Sequence, residues 1–488
     1  MRVAMLAAEC EPWAKTGGLA DVVDALARAL GRLPEATSGD LFGPVDVFLP
    51  RYRTVRVPDG AVTEPPLVIE DPASDEPLEV SIVDVAADGY RLRLVDLPRA
   101  FDRDAYYDFD DDPWRFAVLA RAALRALRRD GRTLDVLHVH DWHAGAALLD
   151  RARDEAGGDS WSRDVAVMGT IHNLAYHGWT PKAKLGQLGL KPKDPLAGSN
   201  PDGLDLLLTL IERSELVNTV SPGFAQEALT PEFGMGLDGA LRKLGDRWLG
   251  ILNGIDPAVW DPANDPALAA PYSRSDRTGA AACRADLLAR VGFDPSDGGT
   301  VVGMIGRLDP QKGFDLLGGG TPDLLSAGIR VIVQGSGHAS LADPFRALAA
   351  ANPDRVALIE RFDRDMARRI YAGADFFLMP SRFEPCGQGQ MIALRYGTPP
   401  IVRRTGGLAD SVLDVDEWPG EGTGIVFDDA TPSALVGAIL RGSSLRANDT
   451  AGWAGLLDRG MAADFAWDHG PARAYLEAYR RAIELRRG

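Results

Sequence analysis

Short apolar runs that end on polar residues recur along this chain, and most are followed by a stretch of helical periodicity. In the first half they are Val3 to Ala8, Val45 to Leu49, Leu92 to Leu97, Val136 to His140, Val165 to Ile171, Leu216 to Val220 and Leu249 to Leu252. Strands that are apolar throughout must be covered on both faces, so the pattern predicts a doubly wound parallel sheet with helices on either side. The first helix is expected over Asp21 to Leu30. In such sheets ligands gather beyond the carboxyl ends of the strands, where His140-Asp141, His172-Asn173 and Asn253-Gly254 fall.

From about Pro257 to Gly299 the sequence becomes rich in Pro, Asp, Ala and Ser, a composition suited to a connection between domains. A second alternating series follows, with strands expected at Val301 to Ile305, Val331 to Val333, Val356 to Ile359, Phe376 to Met379 and Pro400 to Val402. Near the end, Tyr475, Ala478, Tyr479, Ala482 and Ile483 form one stripe of a helix that must pack against something. Residues 1–256 and 257–465 are therefore expected to form two α/β domains. A length of 488 residues also favours two cores over one.

The net charge of −17 argues against a nucleic-acid or anionic-membrane partner, because both need a basic surface. No run approaches the ~20 apolar residues of a membrane span, and the N-terminal apolar run is short for a signal sequence. Cys10, Cys283 and Cys386 are too far apart for a disulfide framework or paired zinc spacing. A cytoplasmic protein is expected, with a homo-oligomer left open. Lysine occurs only seven times, so Lys15 and Lys312 standing beside glycine turns carries weight.

Lys15-Thr16-Gly17-Gly18-Leu19-Ala20-Asp21 joins the first strand to the first helix, where glycines would let backbone N–H groups approach an anion. The six residues Thr16 to Asp21 recur as Thr405 to Asp410, which suggests two similar halves facing one ligand. Gly306-Arg307-Leu308-Asp309-Pro310-Gln311-Lys312-Gly313 sets an arginine and a lysine around one turn, an arrangement suited to a diphosphate whose charge grows as a bond to it breaks. Pro380 to Gly387 also leaves a strand, and Cys386, Gly387 and Gly389 lie where a helix start could offer N–H groups to phosphate, with Glu384 left to meet a sugar.

His138-Val139-His140-Asp141-Trp142-His143 invites a metal reading, but Trp142 stands where a metallo-hydrolase would place its aspartate ligand. Strand-end residues of a sugar site fit better, and no metal or other cofactor is expected. Asp108-Phe109-Asp110 resembles a metal-binding D-x-D, yet its position before Pro113-Trp114 reads as the acidic start of a helix.

Taken together, KTGGLADVV (Lys15 to Val23), HVHDWHAG (His138 to Gly145), TIHNLAYHG (Thr170 to Gly178), ILNGID (Ile251 to Asp256), PSRFEPCG (Pro380 to Gly387), YGTPPIVRRTGGLADSV (Tyr396 to Val412) and DFAWD (Asp464 to Asp468) resemble the bacterial glycogen synthases and plant starch synthases over nearly the whole chain. The resemblance implies a GT-B fold, two Rossmann-like doubly wound domains facing a central cleft, with the last helix (466–488) returning to the first domain. It implies retaining transfer of glucose from ADP-glucose, or UDP-glucose in some members, to the non-reducing end of an α-1,4-glucan. By motif, Lys15, Arg307 and Lys312 would hold the diphosphate with Gly18 nearby, and Glu384 would sit near the reacting sugar. Asp21, Tyr106, Asp141, His172, Asn173 and Asn253 would line the glucose and acceptor side, with Tyr107 competing for the place of Tyr106.

One departure stands out. The family often reads EPCG-LTQ, whereas Gln388-Gly389-Gln390 follows Gly387 here, removing a hydroxyl that could touch the donor. A small-sugar acceptor, a metallo-hydrolase on His138, His140 and His143, and a non-catalytic glucan binder are the competing readings. Retention without an obvious nucleophile implies same-face attack through an oxocarbenium-like state, with the leaving diphosphate as base.

Overall fold

A computed structural model describes residues 1–33, 44–191, 193–198 and 200–488. Two compact units emerge: Met1–Val220 with Ala225–Ile251 and Trp467–Gly488, and Ser221–Phe224 with Leu252–Ala466. The chain thus enters the second unit after Ile251 rather than after residue 256, which puts Asn253 in the second unit.

The first unit is built on one sheet in which seven strands run parallel, in the order Trp248–Gly250, Leu216–Thr219, Ala166–Ile171, Val136–His140, Val3–Leu6, Val45–Pro50 and Tyr90–Asp96. Met5, Leu6, Val47, Leu137, Val167 and Val217 are all buried, as a sheet covered on both faces requires. Beyond Tyr90–Asp96 the sheet turns antiparallel through Pro77–Ala86, which also pairs with Val62–Thr63 and Leu67–Glu70. The sequence reading did not anticipate this flank. Its signal is the alternation of Glu79 and Ser81 with buried Val80 and Ile82, the mark of a strand covered on one face only.

Helix Gly18–Arg32 begins earlier than its apolar stripe suggests, because Gly17 adopts an extended N-cap conformation directly before it. The last helix, Pro471–Arg487, buries Ala472, Tyr475, Leu476, Ala478, Tyr479 and Ala482, and packs within the first unit on strands Val136–His140, Ala166–Ile171 and Leu216–Thr219.

The second unit holds a six-stranded, wholly parallel sheet, ordered Val356–Ile359, Arg330–Gln334, Val301–Ile305, Phe376–Met379, Pro400–Arg403 and Ile425–Phe427. Phe314, Phe345, Phe376, Leu317 and Ile401 centre its core. The stretch expected to be a plain connection contains helix Ala280–Val291, whose Leu287 and Leu288 pack with Phe293 and Ile370. The Pro, Asp, Ala and Ser content of the stretch hid the buried stripe of Cys283, Leu287 and Leu288. Among the described residues no helix is long and apolar enough to cross a membrane.

Candidate functional site

In the first unit the strand ends at Val136–His140 and Ala166–Ile171 bring Asp141, His172 and Asn173 together. Asp141 has φ 55° and ψ −177°, a conformation nearly confined to glycine that costs about 1–3 kcal/mol. Its N–H donates to the Thr170 carbonyl (3.0 Å), and its carboxylate accepts from the His172 N–H at 2.7 Å and from the Asn173 backbone. Burial pushes this carboxyl up to about 7, although the two N–H groups pull the other way. Asn173 turns its own side chain back to the Ala175 N–H (2.9 Å). His172 meets the buried His140 ring, Nε2 to Nδ1, at 3.0 Å, and burial lowers its pKa to about 3.

The glycine turn carries a surprise in Glu9, which is 4% exposed. Its carboxylate accepts from the Thr16 N–H, the Thr16 hydroxyl (2.7 Å), the Gly17 N–H (3.0 Å) and the Tyr107 hydroxyl (2.7 Å). Two donors expected to face an external anion are therefore engaged by an internal one. Lys15 and Asp21 pair at 2.5 Å at the exposed rim of the same turn, and a β-carbon on Gly18 would meet nothing within 4 Å. Tyr107 also lies against His143 (ring centroids 4.7 Å), whereas Tyr106 stacks on Tyr52 and bonds Thr54 at 2.8 Å. Of the two tyrosines, Tyr107 is the one joined to the glycine turn.

In the second unit the turns after Val301–Ile305 and Phe376–Met379 are stapled to each other. Gln311 accepts from the Arg382 N–H (2.8 Å) and donates its side chain to the Phe383 carbonyl (3.1 Å). Gly313, at φ 75°, lies so close to Pro380 that a β-carbon would stand 2.2 Å from its carbonyl oxygen. This contact delivers Lys312 to Glu384: Nζ to Oε2 is 2.6 Å, and the Ser381 hydroxyl adds a bond of 3.0 Å to the same oxygen. Arg307 is exposed and, among the described residues, has no hydrogen-bond or ion-pair partner.

Cys386 is buried beside Asn253, whose hydrogen bonds only partly offset the burial that pushes the thiol up to about 12. Gly387 takes φ 72° and leads into helix Gly389–Arg395, where Gln390 donates to the carbonyls of Cys386 and Gly387. A β-carbon on Gly389 would lie 2.8 Å from the Phe377 ring. A side chain at 389 would therefore have to displace that ring.

A family model described as starch synthase catalytic domain matches residues 2–243, and one described as glycosyl transferases group 1 matches 299–443. Glycogen synthase of Syntrophotalea carbinolica is 38% identical over 99% of both chains, and that of Anaeromyxobacter sp. strain Fw109-5 is 40% identical over 98% of this chain and 99% of its own. The chain belongs to the glycogen synthase and starch synthase family. It is a glycosyltransferase of the GT-B fold: the solved catalytic domain of Arabidopsis thaliana starch synthase IV, bound to ADP and acarbose, superposes with a TM-score of 0.89 at 31% identity over 99% of both chains. A sucrose-phosphate synthase from Thermosynechococcus elongatus, with a TM-score of 0.61 at 18% identity, shares the fold alone.

For this family member Glu9 and Ser381 were not named from sequence, while His140 was named only as a strand-end residue and Tyr107 only as a competitor of Tyr106. Ser381 lay inside a quoted motif and could have been named as a partner of Glu384. Glu9 had no motif to mark it. Among the described residues no group of three or more His, Cys, Asp or Glu side chains is placed to hold a metal ion. Both ring nitrogens of His138 are taken by Tyr479 and Thr170.

Proposed function

We propose that this chain elongates an α-1,4-glucan by transferring glucose from ADP-glucose with retention of configuration. The observation that carries the reading is the Lys312–Glu384 pair at 2.6 Å, on the same turn as an exposed Arg307 that has no partner among the described residues. A diphosphate arriving at this turn exchanges the Glu384 carboxylate for its own oxygens on Lys312 and takes the free arginine fork as a second contact. The Glu384 carboxylate, released from Lys312, then accepts from a sugar hydroxyl or faces the positive charge that develops as the C1–O bond breaks.

Charge accumulating on the departing diphosphate is stabilised by Arg307 and Lys312, with Lys15 on the donor side and Gly18 leaving room beside it. These cations supply charge that Mg²⁺ supplies in metal-dependent transferases. His172, Asp141, Asn173, Asp21 and Tyr107 serve the glucose and acceptor, and Asn253, Cys386, Gly387 and Gly389 shape the donor side. The bound ADP and acarbose of the plant relative support a nucleotide donor and a glucan acceptor. Three free, buried cysteines suit the reducing cytoplasm, where we place the reaction.

The test is turnover of ADP-glucose and UDP-glucose side by side, with glycogen as acceptor and labelled glucose followed into precipitable polymer. Faster incorporation from ADP-glucose is expected. Label that stays in small sugars with either donor would overturn the glucan assignment.

A further inference from the structure

Behind His172 the first unit contains a run of buried polar side chains that the transfer reading leaves unused. His138, His140, Thr170 and Asn218 are each 0% exposed. Their protons can be assigned from one fixed end. The Thr219 carbonyl can only accept, so the Asn218 group facing it at 3.1 Å is Nδ2, which also donates to the Tyr475 hydroxyl (3.1 Å). Asn218 Oδ1 therefore faces Thr170 Oγ1 at 2.6 Å and takes the threonine proton. Thr170 must then accept from His138 Nε2 (2.6 Å), which leaves His138 Nδ1 to accept from the Tyr479 hydroxyl at 2.9 Å.

His140 lies against His138, ring centroids 4.0 Å apart, and touches His172 through Nδ1 at 3.0 Å. Its Nε2 is buried with no partner among the described residues. A buried N–H without an acceptor is rarer in proteins than a bare acceptor. The proton of His140 accordingly sits on Nδ1 and is donated to His172 Nε2. His172 must then carry its own proton on Nδ1, the nitrogen for which the described residues offer no partner. Burial holds all three imidazoles well below their ordinary pKa, so each is neutral and the tautomers are defined.

We propose that His140 is a positioning residue that fixes the tautomer of His172, so that His172 presents an Nδ1–H donor to a sugar hydroxyl. Tyr475 and Tyr479 of helix Pro471–Arg487 hold the far end of the run through Asn218 and His138, and with Tyr479 and Thr170 taking both nitrogens of His138 neither is left for His140. Only the last step, the sugar, rests on the proposed function; the tautomer rests on the hydrogen bonds.

The test is ¹⁵N NMR of the full chain labelled at histidine, with the His172 signals assigned by their loss in His172→Gln. A protonated Nδ1 on His172 together with a protonated Nε2 on His138 is the expected result. Protonated Nε2 on His172 overturns the proposal, whatever the enzyme's donor. In transfer assays His140→Leu should lower kcat about 100-fold with the donor KM within about 2-fold, as misplacement of a reacting group does, and His140→Asn, which keeps a donor at the Nδ1 position, should recover most of it. Equal kcat in His140→Leu and the parent overturns it as well, and if the leucine variant does not fold, the spectrum of the parent protein still decides. Absence of transfer in the parent would sink the proposed function and leave the tautomer result standing.

Discussion

Thr16–Asp21 and Thr405–Asp410 spell the same six residues in opposite surroundings. In the first, Thr16, Gly17 and Gly18 are exposed, and β-carbons on either glycine would touch nothing within 4 Å. In the second, Gly406 takes φ 42°, and β-carbons on Gly406 and Gly407 would stand 2.2 and 2.4 Å from the carbonyl oxygens of Glu384 and Cys386. The Gly407 N–H donates to the Glu384 carbonyl (3.1 Å), and Asp410 accepts from the Gly223 N–H at 2.6 Å. One copy keeps a turn open with Glu9 beneath it; the other clamps the turn that carries Glu384. A repeated glycine motif is therefore two different devices, separated by whether the missing side chain leaves free space or lets backbone pack on backbone.

The largest expected effect comes from Gly407→Ala. The clash is with main chain that cannot swing aside, so stability in urea should fall by about 3 kcal/mol or more. Transfer should fall with it through displacement of Glu384. A midpoint unchanged from the parent would erase the contrast between the copies.

Next are the lysines beside the turns. Lys312→Ala should cost about 10²–10³ in kcat, the usual loss when a group that stabilises developing charge is removed. Lys15→Ala should cost less, since Lys15 lies at an exposed rim, already paired with Asp21. Steady-state kinetics on both variants would expose an error if their order were reversed.

Asp141 offers a smaller and pH-dependent effect. Its carboxyl is raised to about 7 in the folded chain, so the folded state keeps a proton that an unfolded aspartate loses near pH 4. Unfolding free energy should therefore decline as pH rises from about 4 to about 7 and stay reduced above that. Asp141→Asn keeps an acceptor for the His172 N–H and removes the charge. It should gain about 2 kcal/mol at pH 8 and almost nothing at pH 4, while losing transfer. A gain of equal size at both pH values would count against burial of the charge as the cause.

Gly17→Ala closes the series. Its backbone is extended, at φ −146°, and the space beside it is open, so stability should change by no more than about 0.5 kcal/mol. Any loss of donor binding would then report a ligand approaching that edge.

Most parallel strands were legible because buried strands must be apolar from end to end, and those of Val136–His140, Val301–Ile305, Val356–Ile359 and Phe376–Met379 end where the pattern placed them. The antiparallel flank around Pro77–Ala86 escaped because only four of its ten residues are buried and the rest dilute the run. Lys312 and Glu384 were legible as chemistry, each in a motif at a strand end, but their pairing was not, since 72 residues separate them. Glu9 drew no reading from the sequence, because nothing local distinguishes a buried carboxylate from a solvated one. The sequence favoured Tyr106 with Tyr107 competing, and the structure separates them by joining Tyr107 to Glu9 and Tyr106 to Thr54.

The sequence by itself determined the parallel core strands of two α/β units, a final helix with one apolar stripe, and the family, because each of these is written in local periodicity or in contiguous motifs. The tertiary structure alone decided that the second glycine pair is packing rather than an open turn, that an internal carboxylate occupies the first, and which nitrogen of His172 bears its proton. Those outcomes depend on atoms brought within 3 Å by strand pairing across long stretches of chain, where hydrogen bonds and steric exclusion act and periodicity carries no record of them.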